Sequence, residues 1–502
     1  DLHSFPTRRS SDLHIGAKRA GFDIIYVYAA HDLSLAMHFL QTRRNQRSDE
    51  YGGSLENRVR LVRELIEDTK EAVGDRCAVA LRFATEEFHG AQGVRESEAR
   101  EIVQLLADLP DLWDVNIAAW SMDSQTSRFA REGFQEPFTH WVKQITRKPV
   151  VGVGRFTSPD TMVSQIRRGV LDLIGAARPS IADPFLPRKI EEGRGDDIRE
   201  CIGCNICVTG DMTITPIRCT QNPTMGEEWR KGWHPERIPA KQSEKRVLVV
   251  GAGPAGLEAA RALGQRGYEV HLAEAARELG GRVSLESRLP GLAEWVRDWR
   301  VGQLNKMANV AIYPENKLTA DDVIGFDAQC VVLATGCHWR RDGFGRNNGV
   351  RIPGLDGANV FTPDDLLRGP SSVVDTLPAG PVLLFDDDSF YMGSVLAEVL
   401  CAAGRRVIYV TPEDAVASWT VNTQEFRHIQ KRLRMLDVQI ITAHNLLAME
   451  AEGARLACVY SDREQRVSCA SLLTITARLP NDELQRAIWR SEERRVGKEC
   501  RS

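Results

Sequence analysis

The sequence predicts an α/β protein: the C-terminal part of a TIM barrel, then a cysteine-bearing segment, then two tandem Rossmann-like folds. Three observations predict it. Short apolar strands alternate with amphipathic helices from Gly21 to Pro187, four cysteines crowd into residues 201–219, and a strand–loop–helix–strand pattern occurs twice after residue 245. Near-continuous apolar strands separated by helices mean a parallel sheet covered on both faces.

The barrel strands are expected at Phe22–Tyr28, Cys77–Phe83, Leu112–Ala118, Pro149–Gly154 and Leu171–Ala176, with helices such as Leu55–Val73 between them. A whole barrel takes about 250 residues, so residues 14–196 are expected to hold about five of eight units. Active sites of such barrels lie at the C-terminal strand ends. Tyr28 and His31, Arg82, Trp120 and Asp123, Gly152, Gly154 and Arg155, and Ala177 and Arg178 stand there.

Residues 197–245 are polar and turn-rich. Cys201, Cys204 and Cys207 read C-x2-C-x2-C, and Cys219 follows after eleven residues. Zinc sites usually pair two separated C-x-x-C hooks. Three thiolates on one loop plus a distant fourth suit a [4Fe–4S] cluster, with zinc and free thiols as the alternatives. The isolated cysteines are expected to pack in cores.

The first nucleotide fold is expected over 246–379, rejoined by 470–489. Gly251, Gly253 and Gly256 form G-x-G-x-x-G directly after the strand RVLVV, which lets a pyrophosphate approach the helix N-terminus. Glu274 ends the next strand, 18 residues past Gly256, where an acid accepts from a free ribose hydroxyl. FAD, ADP or NAD is therefore expected rather than NADP. Gly280, Gly281 and Arg282 follow, and Cys330–Gly336 is a strand ending in Ala-Thr-Gly, both in the flavin-type manner. The second fold, 380–469, has Asp386, Asp387 and Asp388 where a phosphate loop should lie, with Phe390, Tyr391 and Met392 in place of glycines. Like charges close together cost about 4 kcal/mol per pair at intermediate dielectric, so this fold is expected to exclude NAD(P)H.

Lys+Arg is 65 and Asp+Glu 69 over 502 residues, which argues against a general nucleic-acid binder. No apolar run reaches the ~18 residues that span a bilayer, and no secretory leader pattern is visible. With the cysteines clustered rather than spread, a reducing compartment, the cytoplasm, is expected. The strings at 1–13 and 490–502 resemble translated sequencing-adapter sequence, with disordered tails as the alternative. As adapter sequence they would imply a natural protein longer at both ends.

Asn45, Arg47, Asp49, Tyr51, Gly52, Gly53, Ser54, Glu56, Asn57, Arg58 and Arg60 spell NxRxDxYGGSxENRxR, which resembles the old-yellow-enzyme-like FMN barrels. With the CIGCNIC cluster and the tandem folds, the chain is similar to the trimethylamine dehydrogenase / 2,4-dienoyl-CoA reductase family. Cys219–Glu236 looks closest to the branch of amine dehydrogenases and dimethylglycine or N-methyl amino acid demethylases. The resemblance implies FMN at the barrel mouth. Arg82 would lie near its N1/C2 edge, and Gly152, Gly154, Arg155, Ala177 and Arg178 would hold its phosphate. Tyr28, His31 and Asp123 match a group that tunes protonation beside the substrate, and Trp120 matches an aromatic wall of an alkylammonium cage. Asp211 stands where trimethylamine-type members place a tryptophan, which implies a larger or polar substrate, such as an N-methylated amino acid or betaine-derived amine. The implied activity is oxidative demethylation of an N-methyl amine, dimethylglycine-like or an N-methyl amino acid, with electrons passing from FMN to the cluster to electron-transferring flavoprotein, in a chain that allows a homodimer. An NAD(P)H-dependent enoate or dienoyl-CoA reductase is the alternative, as is an inactive truncated chain.

Overall fold

The computed structural model describes residues 14–292, 295–368, 374 and 377–499, with the main chain alone at 295 and 492–499. The opening string at 1–13 lies outside those residues. The chain divides into two compact units, one up to Ile181 and one from Ala182.

The first unit is a five-stranded parallel sheet in sequential order: β1 (Ile24–Ala29), β2 (Ala78–Ala84), β3 (Leu112–Asn116), β4 (Val150–Gly152) and β5 (Leu173–Ile174). Its residues alternate between faces. Ile25, Val27 and Ala29 of β1 and Val79, Leu81 and Phe83 of β2 are buried apolar residues, while Tyr26 and Tyr28 stand on the opposite face. Helix Leu55–Val73 buries Val59, Val62, Ile66 and Val73 on one stripe, starts at the Ser54 cap and stops at Gly74, whose φ is 59°.

The Asn45–Arg60 motif builds the connection before that helix. Asn45 Nδ2 donates to Phe39 O at 2.8 Å and Tyr51 O at 2.7 Å, and Asn57 Nδ2 donates to Gly52 O at 3.0 Å. Arg58, buried, bonds Leu40 O and Glu98. A side chain at Gly52 would lie 2.1 Å from Arg47 O, so only glycine fits. These motif residues are scaffold.

The second unit starts with residues 182–196, expected in the barrel and carrying the short helix Leu186–Glu191, and the cysteine segment follows. The first nucleotide fold follows as a parallel sheet of β6 (Val247–Val250), β7 (Val270–Ala273), β8 (Val310–Tyr313) and β9 (Cys330–Leu333), in the order β8-β7-β6-β9. Val247, Val249, Leu257, Ala260 and Leu272 form its core against helices Pro254–Gln265 and Trp295–Asn305. β10 (Cys337–Trp339) leads out of it. The second fold comprises β11 (Val360–Phe361), β12 (Val382–Asp386), β13 (Val407–Val410) and β14 (Gln439–Ile441), then an antiparallel meander of β15 (His444–Glu450), β16 (Gly453–Cys458) and β17 (Glu464–Val467). β18 (Ser471–Ile475) and β19 (Arg478–Pro480) precede a final helix, Glu483–Glu499.

Three expectations differ from what is observed. β18 does not return to the first fold: it inserts between β11 and β12 in the order β11-β18-β12-β13-β14. Every residue of β18 is buried, and an apolar run carries no mark of which sheet it joins. The return begins at β19, which pairs antiparallel with β10, and continues as Leu484 and Ile488 pack beside Leu248, Val250 and Val323. β11 likewise belongs to the second sheet, although it falls within 246–379. The alternative of a disordered tail at 490–502 also differs, because the final helix runs into that string as far as Glu499; Arg, Glu and Lys are good helix formers. No described helix is long and apolar enough to cross a membrane.

Candidate active site at the barrel mouth

Strand register assembles the first part of the site. Tyr28 pairs with Arg82, and Arg82 with Asp114, so the three form a row across β1, β2 and β3. Arg82 Nη1 donates to Asp114 Oδ2 at 2.8 Å, while its Nε is buried without a hydrogen-bond partner. Burial pushes the Tyr28 phenol up, and the Arg82 guanidinium pulls it back. Burial also raises the Asp114 carboxyl against the opposing pull of Arg82.

The chain then turns sharply. His31 and Asp32 both take left-handed conformations, with φ of 58° and 57°, at a cost of about 1–3 kcal/mol each. His31 forms a bridge to Ala119, next to the turn Trp120–Asp123. This brings together the three residues matched from sequence. The Tyr28 hydroxyl hydrogen-bonds His31 Nδ1, and His31 Nε2 lies 3.0 Å from Asp123 Oδ2. His31 and Asp123 are only 8% and 9% exposed, so this is a desolvated pair rather than a surface one. Trp120 is half-buried and opens the same turn.

Two partners were not expected from sequence. Gln135 Nε2 donates to Asp123 Oδ1 at 2.5 Å, and Asn116 Nδ2 lies 2.5 Å from His31 Nε2. Both side chains are fully buried. Asn116 Oδ1 is buried without a hydrogen-bond partner, so turning the amide over satisfies it with the Nε2 proton. The imidazole then donates from Nε2 to Asp123 and Asn116, and accepts at Nδ1 from the Tyr28 hydroxyl. Asp114 was missed as well. Its only signal was an aspartate within an apolar strand, on the same face as Arg82.

The strand ends expected to take a phosphate follow β4 and β5. A side chain at Gly152 would meet Leu171 at 2.6 Å, Gly154 is extended, and Arg155 has a φ of 58°. Ala177 and Arg178 open the short helix Ala177–Ala182, and Arg178 Nη1 donates to Gln125 O at 2.9 Å. The mouth fits an FMN on one physical observation: the buried Arg82 Nε lacks an acceptor, which an electron-rich ring edge supplies.

In the cysteine segment, backbone amides point at sulfur. Gly203 N–H donates to Cys201 Sγ at 3.3 Å and Gln221 N–H to Cys219 Sγ at 3.4 Å, while the Thr220 hydroxyl lies 3.2 Å from Cys204 Sγ. Among the described residues no three His, Cys, Asp or Glu are gathered as a metal-holding group. Four thiols on amide-lined loops nonetheless have the donor chemistry of an iron–sulfur site.

In the first nucleotide fold, a side chain at Gly256 would lie 1.8 Å from Gly251 O, and one at Gly251, where φ is 102°, 2.4 Å from Ala334 O. Gly253 has open space at its Cβ position, and Gly281 lies against Gly253. This cradle suits a pyrophosphate. Glu274 reaches the loop, where its carboxylate accepts from Ala252 N at 2.6 Å and Ala276 N at 2.8 Å. Arg282 donates to Cys337 O at 2.9 Å and pairs with Asp364 at 2.9 Å.

The second fold fills its own loop. Asp387 accepts from Asn347 N at 3.0 Å, Asn347 Nδ2 at 2.8 Å and Asn348 N at 3.2 Å. Asp386 accepts from Tyr409 Oη at 2.6 Å and from Ser389 N and Asp388 N at 3.0 Å. Phe390 packs edge-on against Tyr391 and Trp419, and the Tyr391 hydroxyl donates to Glu286 at 2.6 Å.

Comparison with known proteins agrees with this architecture. Residues 15–197 match the NADH:flavin oxidoreductase / NADH oxidase family, and residues 249–306 match the NAD(P)-binding Rossmann-like domain. Dimethylamine dehydrogenase of Hyphomicrobium sp. (strain x) is 38% identical over 95% of this chain and 68% of its own. The solved 6-hydroxypseudooxynicotine amine oxidase of Pseudomonas geniculata N1 is 50% identical with a TM-score of 0.93, over 98% of this chain and 74% of that one. Histamine dehydrogenase of Rhizobium sp. 4-9 is 49% identical with a TM-score of 0.94, over 98% and 71%. The chain thus spans 68% to 74% of the length of these three relatives.

Barrel and matches define a flavin-dependent oxidoreductase. Within that class, the chain belongs to the trimethylamine dehydrogenase-like members of the NADH:flavin oxidoreductase / NADH oxidase family.

Proposed function

We propose that the protein oxidises an amine at the carbon next to nitrogen. A hydride leaves that carbon, the resulting iminium takes up water, and an N-methyl substrate releases formaldehyde and the demethylated amine. When bound, FMN supplies the two-electron acceptor, and a [4Fe–4S] cluster on Cys201, Cys204, Cys207 and Cys219 supplies the single-electron outlet to electron-transferring flavoprotein. The hydrogen-bonded row Tyr28–His31–Asp123 carries this reading. An amine gives up a hydride only as the free base, because its lone pair must form the C=N bond. His31, held by Asp123, accepts the Tyr28 proton at Nδ1, and so lets the phenol oxygen take a proton from an alkylammonium. Arg82 offers positive charge beside them. Trp120 serves as an aromatic wall for the substrate cation.

Asp211 lies on the helical turn Thr209–Thr213 and is exposed. A carboxylate replaces the tryptophan that trimethylamine-type members carry at this position. Relatives named for histamine and hydroxypseudooxynicotine favour an amine with a second polar or cationic group over dimethylglycine and N-methyl amino acids.

The deciding experiment follows flavin bleaching anaerobically with dimethylamine, histamine, dimethylglycine, N-methylproline, NADH and NADPH. Bleaching by amines and not by nicotinamides is expected, with histamine ahead of N-methylproline. Bleaching by NAD(P)H alone would make the protein a reductase of the enoate type.

A further inference from the structure

We propose that a buried arginine–tryptophan stack between the first nucleotide fold and the cysteine segment sets the reduction potential of the cluster. Arg199 and Arg300 raise it and Glu258 lowers it. The inference rests on the iron–sulfur reading above.

The Trp299 ring has Arg199 at 4.4 Å, Arg261 at 5.4 Å and Arg300 at 5.8 Å from its centre. All three arginines are 2–3% exposed, so solvent does not screen them. One carboxylate serves two of them: Glu258 accepts from Arg261 Nε at 3.1 Å and from Arg300 Nε at 2.8 Å. Arg199 Nε is buried without a hydrogen-bond partner. The nearby Asp183 accepts from the Arg199 amide at 2.9 Å but is paired with Lys189 at 2.7 Å. Lys189 is shared with Glu236 at 2.9 Å, so three arginines and one lysine face three carboxylates, and the one buried positive charge left over would be offset by a further anion beside it.

The cysteine segment supplies the place for that anion. Arg300 Nη1 donates to Gln221 Oε1 at 2.9 Å and Nη2 to Gln221 O at 3.0 Å. The Gln221 amide in turn donates to Cys219 Sγ. Arg199 lies two residues before Cys201. A cluster held by four thiolates is anionic, and its reduction adds one more negative charge. Nearby cations stabilise the reduced form more than the oxidised one, and a nearby carboxylate does the reverse. Arg300 and Glu258 act on the cluster through charge and through Gln221 rather than by contact; they are positioning and tuning residues.

The test is an EPR-monitored reductive titration of the anaerobically purified chain with dithionite and mediators. Arg300→Gln is expected to cut the reduced-to-oxidised ratio about tenfold at fixed poise, which is about 59 mV for one electron. Glu258→Gln is expected to shift the potential the opposite way, and Arg300→Lys to restore most of it. Should Arg300→Gln fail to fold, Arg199→Gln gives the same sign from the other side of the ring. Shifts of one sign in both the arginine and the glutamate variants, or none, would overturn the proposal. A wild-type chain without a reducible cluster signal would remove the iron–sulfur reading itself, and this inference with it. Cluster signals whose potentials ignore these variants would sink the inference alone.

Discussion

Replacing His31 by glutamine takes away the Nδ1 acceptor of Tyr28 and leaves the Asp123 carboxylate without its imidazole partner. Flavin reduction by amine is expected to slow about a hundredfold, the scale of a lost proton-transfer group. Asn116→Leu leaves the imidazole in place but removes one of its two partners at Nε2. The expected result is a displaced pH profile with a smaller loss of rate; an unchanged profile would show that the amide has no part in holding the tautomer. Asp386 gives a pH effect on stability. Burial pushes its carboxyl from 3.8 up to about 7. The folded chain therefore holds a proton that the unfolded chain has released, and the contribution is present in full below about pH 4 and lost as pH rises through about 7. Asp386→Asn should flatten the dependence of unfolding free energy on pH across that window; an identical slope would contradict the assignment. Legibility at this scale was uneven. Tyr28, His31 and Asp123 were readable through the family resemblance, supported by their place at or just after strand ends. Asn116 and Gln135 were not, since a buried amide looks like any polar loop residue until its partner is known.

At the scale of elements, the glycine loop is the most exacting. Gly256→Ala puts a methyl group 1.8 Å from Gly251 O, so the loop must move. The variant is expected to lose its nucleotide, read as the adenine content of the purified protein, while the cysteine segment is retained. The five barrel strands and the first Rossmann strands were legible because they form continuous apolar runs, although only some, such as β3 and β6, are buried throughout. β18 was read into the wrong sheet for the same reason: an apolar run fixes burial but not its neighbour. β11, at two residues, is too short to leave a pattern. The acidic loop carries more than charge. Asp387 is spent on Asn347 and Asn348, so the space is taken by protein before repulsion enters.

For the whole molecule, the two units carry separate cores. Calorimetry is expected to resolve two transitions. ADP at about a hundred times its Kd should stabilise only the unit holding the Gly251 loop, by about 2.7 kcal/mol. Equal movement of both transitions, or of neither, would refute that placement. The acid-filled loop of the second fold also bears on redesign. A path to a phosphate-binding loop would have to change Asp387, which accepts from three donors of Asn347 and Asn348, and Asp386, which accepts from the Tyr409 hydroxyl. It would also have to clear Phe390 from between Tyr391 and Trp419. Each change removes native contacts and opens no phosphate cradle by itself. Stepwise conversion of this loop to a phosphate-binding one is therefore expected to be harder than substitution at an exposed loop of equal length.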